Sequence, residues 1–249
     1  MQAGVDLGGT KLLILLEDDG GARTVHRLPT GPAFGPAELT AALKSVLPPG
    51  TLTGIAIPGL VDATGHIVES DVLPRLNGWN PVHAGLAAIA MNDGEAALSA
   101  FAAAFPPDAT LAVVGAGTGT AAALQVAGVT LRRHRPLSGE LGLAPFGHDG
   151  TLDDHASGAA ILRAGATPES IARAGAALGV GLATLVHIVH PEAIGLYGGA
   201  LRHPGYLDAA HAELRRRALP ALLAQTRVSP VDDPDTVAAR GALREARRK

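Results

Sequence analysis

The chain has 249 residues, is 47% hydrophobic and 17% charged, and carries a formal net charge of -3. That length and apolar content suffice for one large core or two compact lobes, and the slightly acidic balance argues against nucleic acid as the main partner, because phosphate backbones need a basic face. The absence of cysteine excludes disulfides, thiolate nucleophiles and cysteine-ligated zinc.

In chain order, residues 2–7 and 11–17 read as strands on either side of Gly8-Gly9-Thr10, and 22–28 as a third strand after the turn Asp18-Asp19-Gly20-Gly21. A strand that turns straight back into a strand is not a dinucleotide-binding start, which would pass from strand to helix. Residues 36–46 are predicted helical, with Leu39, Leu43 and Val46 on one face, and 52–57 form a buried strand ending at Pro58-Gly59. A short helix is expected over 82–90 and an alanine-rich helix over 95–105. Pro106-Pro107-Asp108 marks a boundary between an N-terminal lobe, 1–107, and a C-terminal lobe, 108–249. The pattern then repeats: strand 110–115, glycine turn 116–119, strand 120–126, a turn at Ala127-Gly128 and a third strand over 129–132. Residues 133–158 read as loop. Helices follow over 159–164 and 168–178, the latter continuing as an apolar helix over 179–189, then a strand over 191–196 and helices to the end, with 206–223 broken at Pro220.

No run approaches the roughly 20 apolar residues of a membrane helix. The N-terminus lacks a signal-like basic region, so the expectation is a soluble cytoplasmic protein with no membrane partner. The basic cluster Arg240, Arg244, Arg247, Arg248 and Lys249 reads as a solvated helix end.

Two stretches carry chemistry on their own terms. In Asp6-Leu7-Gly8-Gly9-Thr10-Lys11 the glycines let backbone approach a phosphate, the Thr10 hydroxyl can donate, and Asp6 offers the carboxylate oxygen that Mg²⁺ prefers. A plain hairpin turn is the other reading. Gly117-Thr118-Gly119, in the second strand–turn–strand unit, offers a matching cradle, so that two turns can hold a triphosphate. Asp93 either caps the helix that follows or acts as a fixed carboxylate base for a hydroxyl.

The same residues resemble, in order, the motifs of the ROK family, the repressor and kinase group that includes bacterial glucokinases, fructokinases and N-acetylmannosamine kinases. Asp6-Leu7-Gly8-Gly9-Thr10-Lys11 is similar to its first phosphate motif and Gly117-Thr118-Gly119 to its second. Ile55 to Asp62 resembles its connecting strand and turn. The run from Pro191 to Leu201, with Gly198-Gly199, is similar to its adenosine motif. Asn92-Asp93-Gly94-Glu95-Ala96 resembles the catalytic turn, which implies Asp93 as general base. Ser138-Gly139-Glu140-Leu141-Gly142 resembles the sugar-binding stretch, Asp153 takes the place of a sugar-binding Glu one methylene longer, and Asn77 before Trp79 resembles a sugar-side Asn. Trp79 packed in a core above a turn is the equal alternative there.

The resemblance implies an α/β chain of the actin-like ATPase (ribonuclease H-like) fold, with two lobes from a duplicated β-β-β-α-β-α unit. It further implies ATP and Mg²⁺ as cofactors, with Mg²⁺ held through Asp6, and a hexose or N-acyl-hexosamine whose 6-hydroxyl is phosphorylated. Asn77, Asn92, Asp93, Glu140 and Asp153 would be the sugar side, and a homodimer the assembly. The chain departs from the pattern where the family's His is Leu143 and where its cysteine-rich zinc loop is missing, so no structural zinc is expected. His148 and His155 with Asp149, Asp153 or Asp154 fit no closed zinc spacing and read as polar loop; His187 and His190 read as satisfied helix or core histidines. The alternatives are a catalytically weak sugar- or ATP-binding sensor without a DNA-binding domain, and an actin-like phosphatase or acetate-type kinase.

Overall fold

Apolar runs interrupted by glycine turns set the architecture. The computed structural model describes residues 1–82, 86, 88–133, 135, 137–148 and 150–248. The chain forms two units, one of Met1–Ala104, Arg132–Pro136 and Asp235–Lys249, the other of Phe105–Leu131 and Leu137–Pro234. In the first, β1 (Gln2–Leu7), β2 (Lys11–Glu17) and β3 (Arg23–Pro29) make an antiparallel meander; α1 (Pro36–Val46) follows, and β4 (Leu52–Ile57) returns parallel to β1. A small hairpin, β5 (Leu60–Val61) and β6 (Ile67–Glu69), precedes β7 (Ala88–Asn92), which lies parallel to β4 and runs directly into α2 (Asp93–Ala102).

The second unit repeats the plan. β8 (Leu111–Ala116), β9 (Thr120–Val126) and the short β10 (Val129–Thr130) form the meander. Short helices α3 (Asp153–Ala156) and α4 (Gly158–Arg163) lead to the long α5 (Pro168–Val189), and β11 (Ala193–Tyr197) returns parallel to β8. Helices α6 (Tyr206–Arg217) and α7 (Pro220–Leu223) precede β12 (Arg227–Pro230), parallel to β11. Among the described residues each unit carries a five-stranded sheet, ordered β3-β2-β1-β4-β7 in one and β10-β9-β8-β11-β12 in the other. Read as third, second, first, fourth, fifth, the two orders are the same. The duplication expected from the glycine turns is present, and each copy is longer than expected by a parallel strand. The central strands are apolar on both faces, as befits parallel strands covered by helices.

Several expectations are corrected. The helix expected over 82–90 is replaced at its C-terminal end by β7, while residues 83–85 and 87 lie outside the described residues. Ile89, Ala90 and Met91 pair with Gly54, Ile55 and Ala56 of β4, so ladder hydrogen bonds override a weak local helix preference. The loop 133–158 carries α3 and a 3-10 turn at Leu141–Leu143. The helix over 168–178 continues through 179–189 as expected, and its Gly175 and Gly179 serve close packing: a Cβ at Gly175 would run into Tyr206 O, and one at Gly179 would lie 2.5 Å from Ala210 O, both on α6. Against expectation, α5 is long and apolar enough by length and composition to cross a membrane; it is mostly buried, in a core with Val114, Leu152, Ile194 and Leu196.

The C-terminal residues, expected in the second lobe, belong to the first unit. There α8 (Val237–Ala246) lies across β1 and β4 and against α2. Glycine makes this possible. Gly4 and Gly54 are paired neighbours on β1 and β4, and a Cβ on either would run into a backbone oxygen of α8, at Ala239 or Ala242. Gly241 of α8 meets Ala96 O of α2 in the same way. The basic cluster is a solvated end at Arg247 and Arg248, which are exposed, while Arg240 and Arg244 are half-buried. Arg244 donates to Ser99 O at 2.6 Å, Arg247 bonds Gln2 Oε1 and Glu17, and Arg248 meets Glu245 Oε1 at 2.9 Å; Lys249 lies outside the described residues.

Candidate functional site

In the first unit the turn between β1 and β2 is fastened at its base. The Gly8 N–H donates to Lys11 O at 2.8 Å, and Thr30 donates its N–H to Thr10 O at 3.1 Å and its hydroxyl to Gly8 O at 2.6 Å. At the tip, the Gly9 and Thr10 N–H groups have no backbone partner among the described residues. A Cβ at Gly9 would lie 2.7 Å from Cγ1 of the exposed Val72 and would have to displace that side chain. Thr10 and Lys11 are exposed. The turn therefore offers two aimed donors with a hydroxyl and an ammonium beside them, a chemistry suited to phosphate oxygens. Thr30 is a supporting residue that the sequence did not single out; its signal was position alone, at the end of the strand paired with β2.

Asp6 lies at the carboxyl end of β1. Burial, then the charge of Asp93, push its carboxyl up to about 6, with Lys11 pulling the other way. Asp93 is the first residue of α2. The capping duty falls on Asn92, whose Oδ1 accepts from the N–H groups of Gly94 at 3.0 Å and Glu95 at 3.2 Å, while its Nδ2 donates to Gly59 O at 2.8 Å. Asp93 Oδ1 accepts from Gly94 N–H at 2.8 Å. Asn92 thus ties α2 to the end of β4 and sets the start of the helix on which Asp93 sits. Gly59, at φ 129°, could not carry a side chain there, because its Cβ would run into Glu69 O.

Asn77 is not part of this group by any bond. It is exposed, and its Oδ1 accepts from Ser70 N–H at 2.8 Å, closing the turn before Trp79, whose ring packs partly buried against the unit's core. A cavity of about 480 Å³ in the same unit, lined by Asp62, Ile89, Met91, Glu95, Arg132 and Glu245 among others, contains none of the predicted site residues.

In the second unit the turn Gly117-Thr118-Gly119 joins β8 to β9. Gly117 N–H donates to Gly119 O at 2.9 Å, and Gly158 N–H, at the start of α4, donates to Gly117 O at 2.7 Å. Asp153 Oδ1 accepts from Thr120 N–H at 2.5 Å. The sugar-type stretch packs on the same place. Gly139, at φ 91°, sets its carbonyl against β9, where Ala122 N–H donates to Gly139 O at 2.7 Å; Gly142 faces Asp153 with no room for a Cβ. Glu140 stands between these glycines and is near enough for its charge to raise the Asp153 carboxyl; burial is the larger cause, and the Thr120 hydrogen bond opposes it. Leu143, in the place of the family's His, is 63% exposed. Gly198 follows β11 at φ 110° and ψ 166°, a conformation reserved for glycine, and backs onto Ala116 at the end of β8; the space beside Gly199 is open. Gly117 to Gly119, Glu140, Asp153 and Gly198 are thus brought together around the ends of β8 and β11.

The histidines hold other posts. His155 packs on Phe146, with ring centroids 4.8 Å apart, and Asp154 accepts from Thr151 N–H and Oγ1 at 2.9 Å each. His187 Nε2 accepts from Leu219 N–H at 3.1 Å. His190 ends α5 in the left-handed conformation. Among the described residues no group of three or more His, Asp or Glu is arranged to hold a metal ion, and Asp149 lies outside them.

No protein-family model and no curated protein matches the chain. Solved structures do. The ROK family glucokinase from Streptomyces griseus, in complex with glucose and AMPPNP, superposes with a TM-score of 0.82 at 20% identity, covering 100% of this chain and 99% of that one. The fold is that of the ROK sugar kinases. The ROK hexokinase from Thermus thermophilus matches with a TM-score of 0.76 at 23% identity over 100% of this chain and 99% of its own. A ROK family transcriptional regulator, a homologue of the E. coli MLC protein, matches with a TM-score of 0.77 at 18% identity over 98% of this chain and 78% of that one. The ROK fold, an actin-like ATPase fold, accounts for the repeated strand order of the two units.

Proposed function

We propose that this chain is an ATP-dependent sugar kinase that transfers the γ-phosphoryl group of ATP to a hydroxyl, the 6-hydroxyl, of a hexose or N-acyl-hexosamine. One observation carries the reading: Asn92 takes the helix cap and leaves Asp93, beside Asp6 and the first glycine turn, as a carboxylate on a fixed helix start. The likeness to sugar kinases along their whole length supports it.

Asp93 accepts the hydroxyl proton as the sugar oxygen bonds to the γ-phosphorus and the bond to the bridging oxygen of ADP breaks. Gly9, Thr10 and Lys11 in the first unit are a set suited to phosphate oxygens, and the turn Gly117 to Gly119 in the second unit is another. Gly199, with open space beside it, leaves a surface for the nucleoside next to the turn set by Gly198. Glu140 accepts hydrogen bonds from sugar hydroxyls. The Asp6 carboxylate beside the Asp93 charge is a donor set that would fit Mg²⁺, which when bound would supply charge neutralisation on the phosphates.

The test is ATP consumption by purified protein with Mg²⁺ over a panel of hexoses and N-acyl-hexosamines, beside acetate and other carboxylic acids. Turnover with a sugar supports the reading; turnover with a carboxylic acid alone overturns it. The sensor reading draws on the regulator of the same fold and on Leu143 in place of the His. It would be favoured by sugar and nucleotide binding without turnover.

A further inference from the structure

The resemblance gives Asp153 to the sugar, but its surroundings point to the nucleotide side. Its carboxylate accepts the Thr120 N–H at 2.5 Å, directly after the glycine turn. Two glycines make room for it: a Cβ at Gly119 would lie 3.0 Å from Asp153 Oδ2, and one at Gly142 would run into Asp153 Oδ1 and Thr120 O. The residue itself is anchored from behind. Ser157 Oγ donates to Asp153 O at 2.7 Å and receives Ala160 N–H at 3.1 Å, and the fully buried Tyr206 donates its hydroxyl to Ala156 O at 2.6 Å. Gly158 N–H, in the next turn of chain, holds Gly117 O at 2.7 Å. Both ends of the Gly117–Gly119 turn are therefore fixed by the segment 153–158. The shorter Asp reaches the Thr120 N–H with Oδ1.

We propose that Asp153 is a positioning residue for the second phosphate turn, locking it to the Glu140 loop through Thr120 N and the Gly142 contact. The proposal rests on the kinase reading for what the turn binds, but its geometry does not. A charge-assisted acceptor on Thr120 N–H orients the Gly119–Thr120 peptide and so the donors that precede it. Asparagine keeps an acceptor oxygen at that place; alanine removes it.

The experiment compares wild type, Asp153→Asn and Asp153→Ala by hydrogen exchange at the Thr120 amide and by binding of AMPPNP and of a sugar by calorimetry. The expected result is faster exchange at Thr120 in Asp153→Ala, AMPPNP affinity about tenfold weaker, sugar affinity within about twofold of wild type, and substantial recovery of both in Asp153→Asn. Unchanged Thr120 exchange in Asp153→Ala, or weakened sugar binding with unchanged AMPPNP binding, overturns the proposal. Should wild type bind no nucleotide, the kinase reading falls, and Thr120 exchange alone still decides whether Asp153 positions the turn. Should Asp153→Ala fail to fold, Asp153→Asn decides on the same readouts: slightly weakened AMPPNP binding supports the proposal, and weakened sugar binding alone overturns it.

Discussion

The carboxyl groups of Asp6 and Asp93 are electrostatic neighbours: burial first, and then the charge of Asp93, raise Asp6 from an ordinary 3.8 to about 6. A folded carboxyl raised above its unfolded value favours the folded state fully below the unfolded pKa and loses that contribution as pH rises through the folded one. In EDTA and without nucleotide, the contribution of Asp6 to stability should therefore be lost between about pH 4 and 6.5, by up to about 3 kcal/mol. Asp6→Asn should be more stable than wild type at pH 7.5 and equal to it near pH 3.5. Urea denaturation at the two pH values checks this; equal stabilities at pH 7.5 would contradict it.

Tyr206→Phe should destabilise the second unit by roughly 1–2 kcal/mol, because it leaves Ala156 O buried without its donor. The apolar ring still fills its place, so the loss isolates one hydrogen bond. Thermal unfolding reads it as a lowered Tm.

Gly54→Ala should be far worse than its added volume suggests. Its Cβ would meet the backbone of α8 at Ala242, which no rotamer can relieve. A loss of about 3 kcal/mol or more is expected, seen as low soluble yield or a sharply lowered Tm. Gly117→Ala, where nothing lies within 4 Å of the added carbon, is the control and should fold like wild type.

Gly198→Ala combines a forbidden backbone conformation with a Cβ driven into Ala116 O. It should cost about 1–3 kcal/mol in stability. Because Gly198 backs onto the end of β8, AMPPNP affinity should fall with it, while sugar affinity should hold. Calorimetry with each ligand separates the two.

Much of this was legible in the sequence because short-range rules governed it. β1, β2, α1, β4 and β9 begin and end where glycine turns, Pro36 and the apolar runs placed them. What escaped was decided at long range. β12 is four residues containing a proline at the sheet's edge, with a pattern too short to read. Nothing local in residues 237–246 announces that α8 returns to the first unit; the cause is a glycine pair more than half the chain away, Gly4 and Gly54. At the site, the motifs located Asp6, Asp93, Glu140 and Asp153, but only the hydrogen bonds separate Asn92 as the cap from Asp93, and tie Asp153 to Thr120.

The most direct test of the proposed activity follows the transferred group itself. Phosphorus NMR of wild type and Asp93→Asn, each with ATP, Mg²⁺ and the sugar panel, should show a sugar phosphate resonance growing with ADP in wild type. In Asp93→Asn the signal should fall by at least about a hundredfold in rate while AMPPNP still binds. Sugar phosphate formed at the wild-type rate by Asp93→Asn would contradict the account.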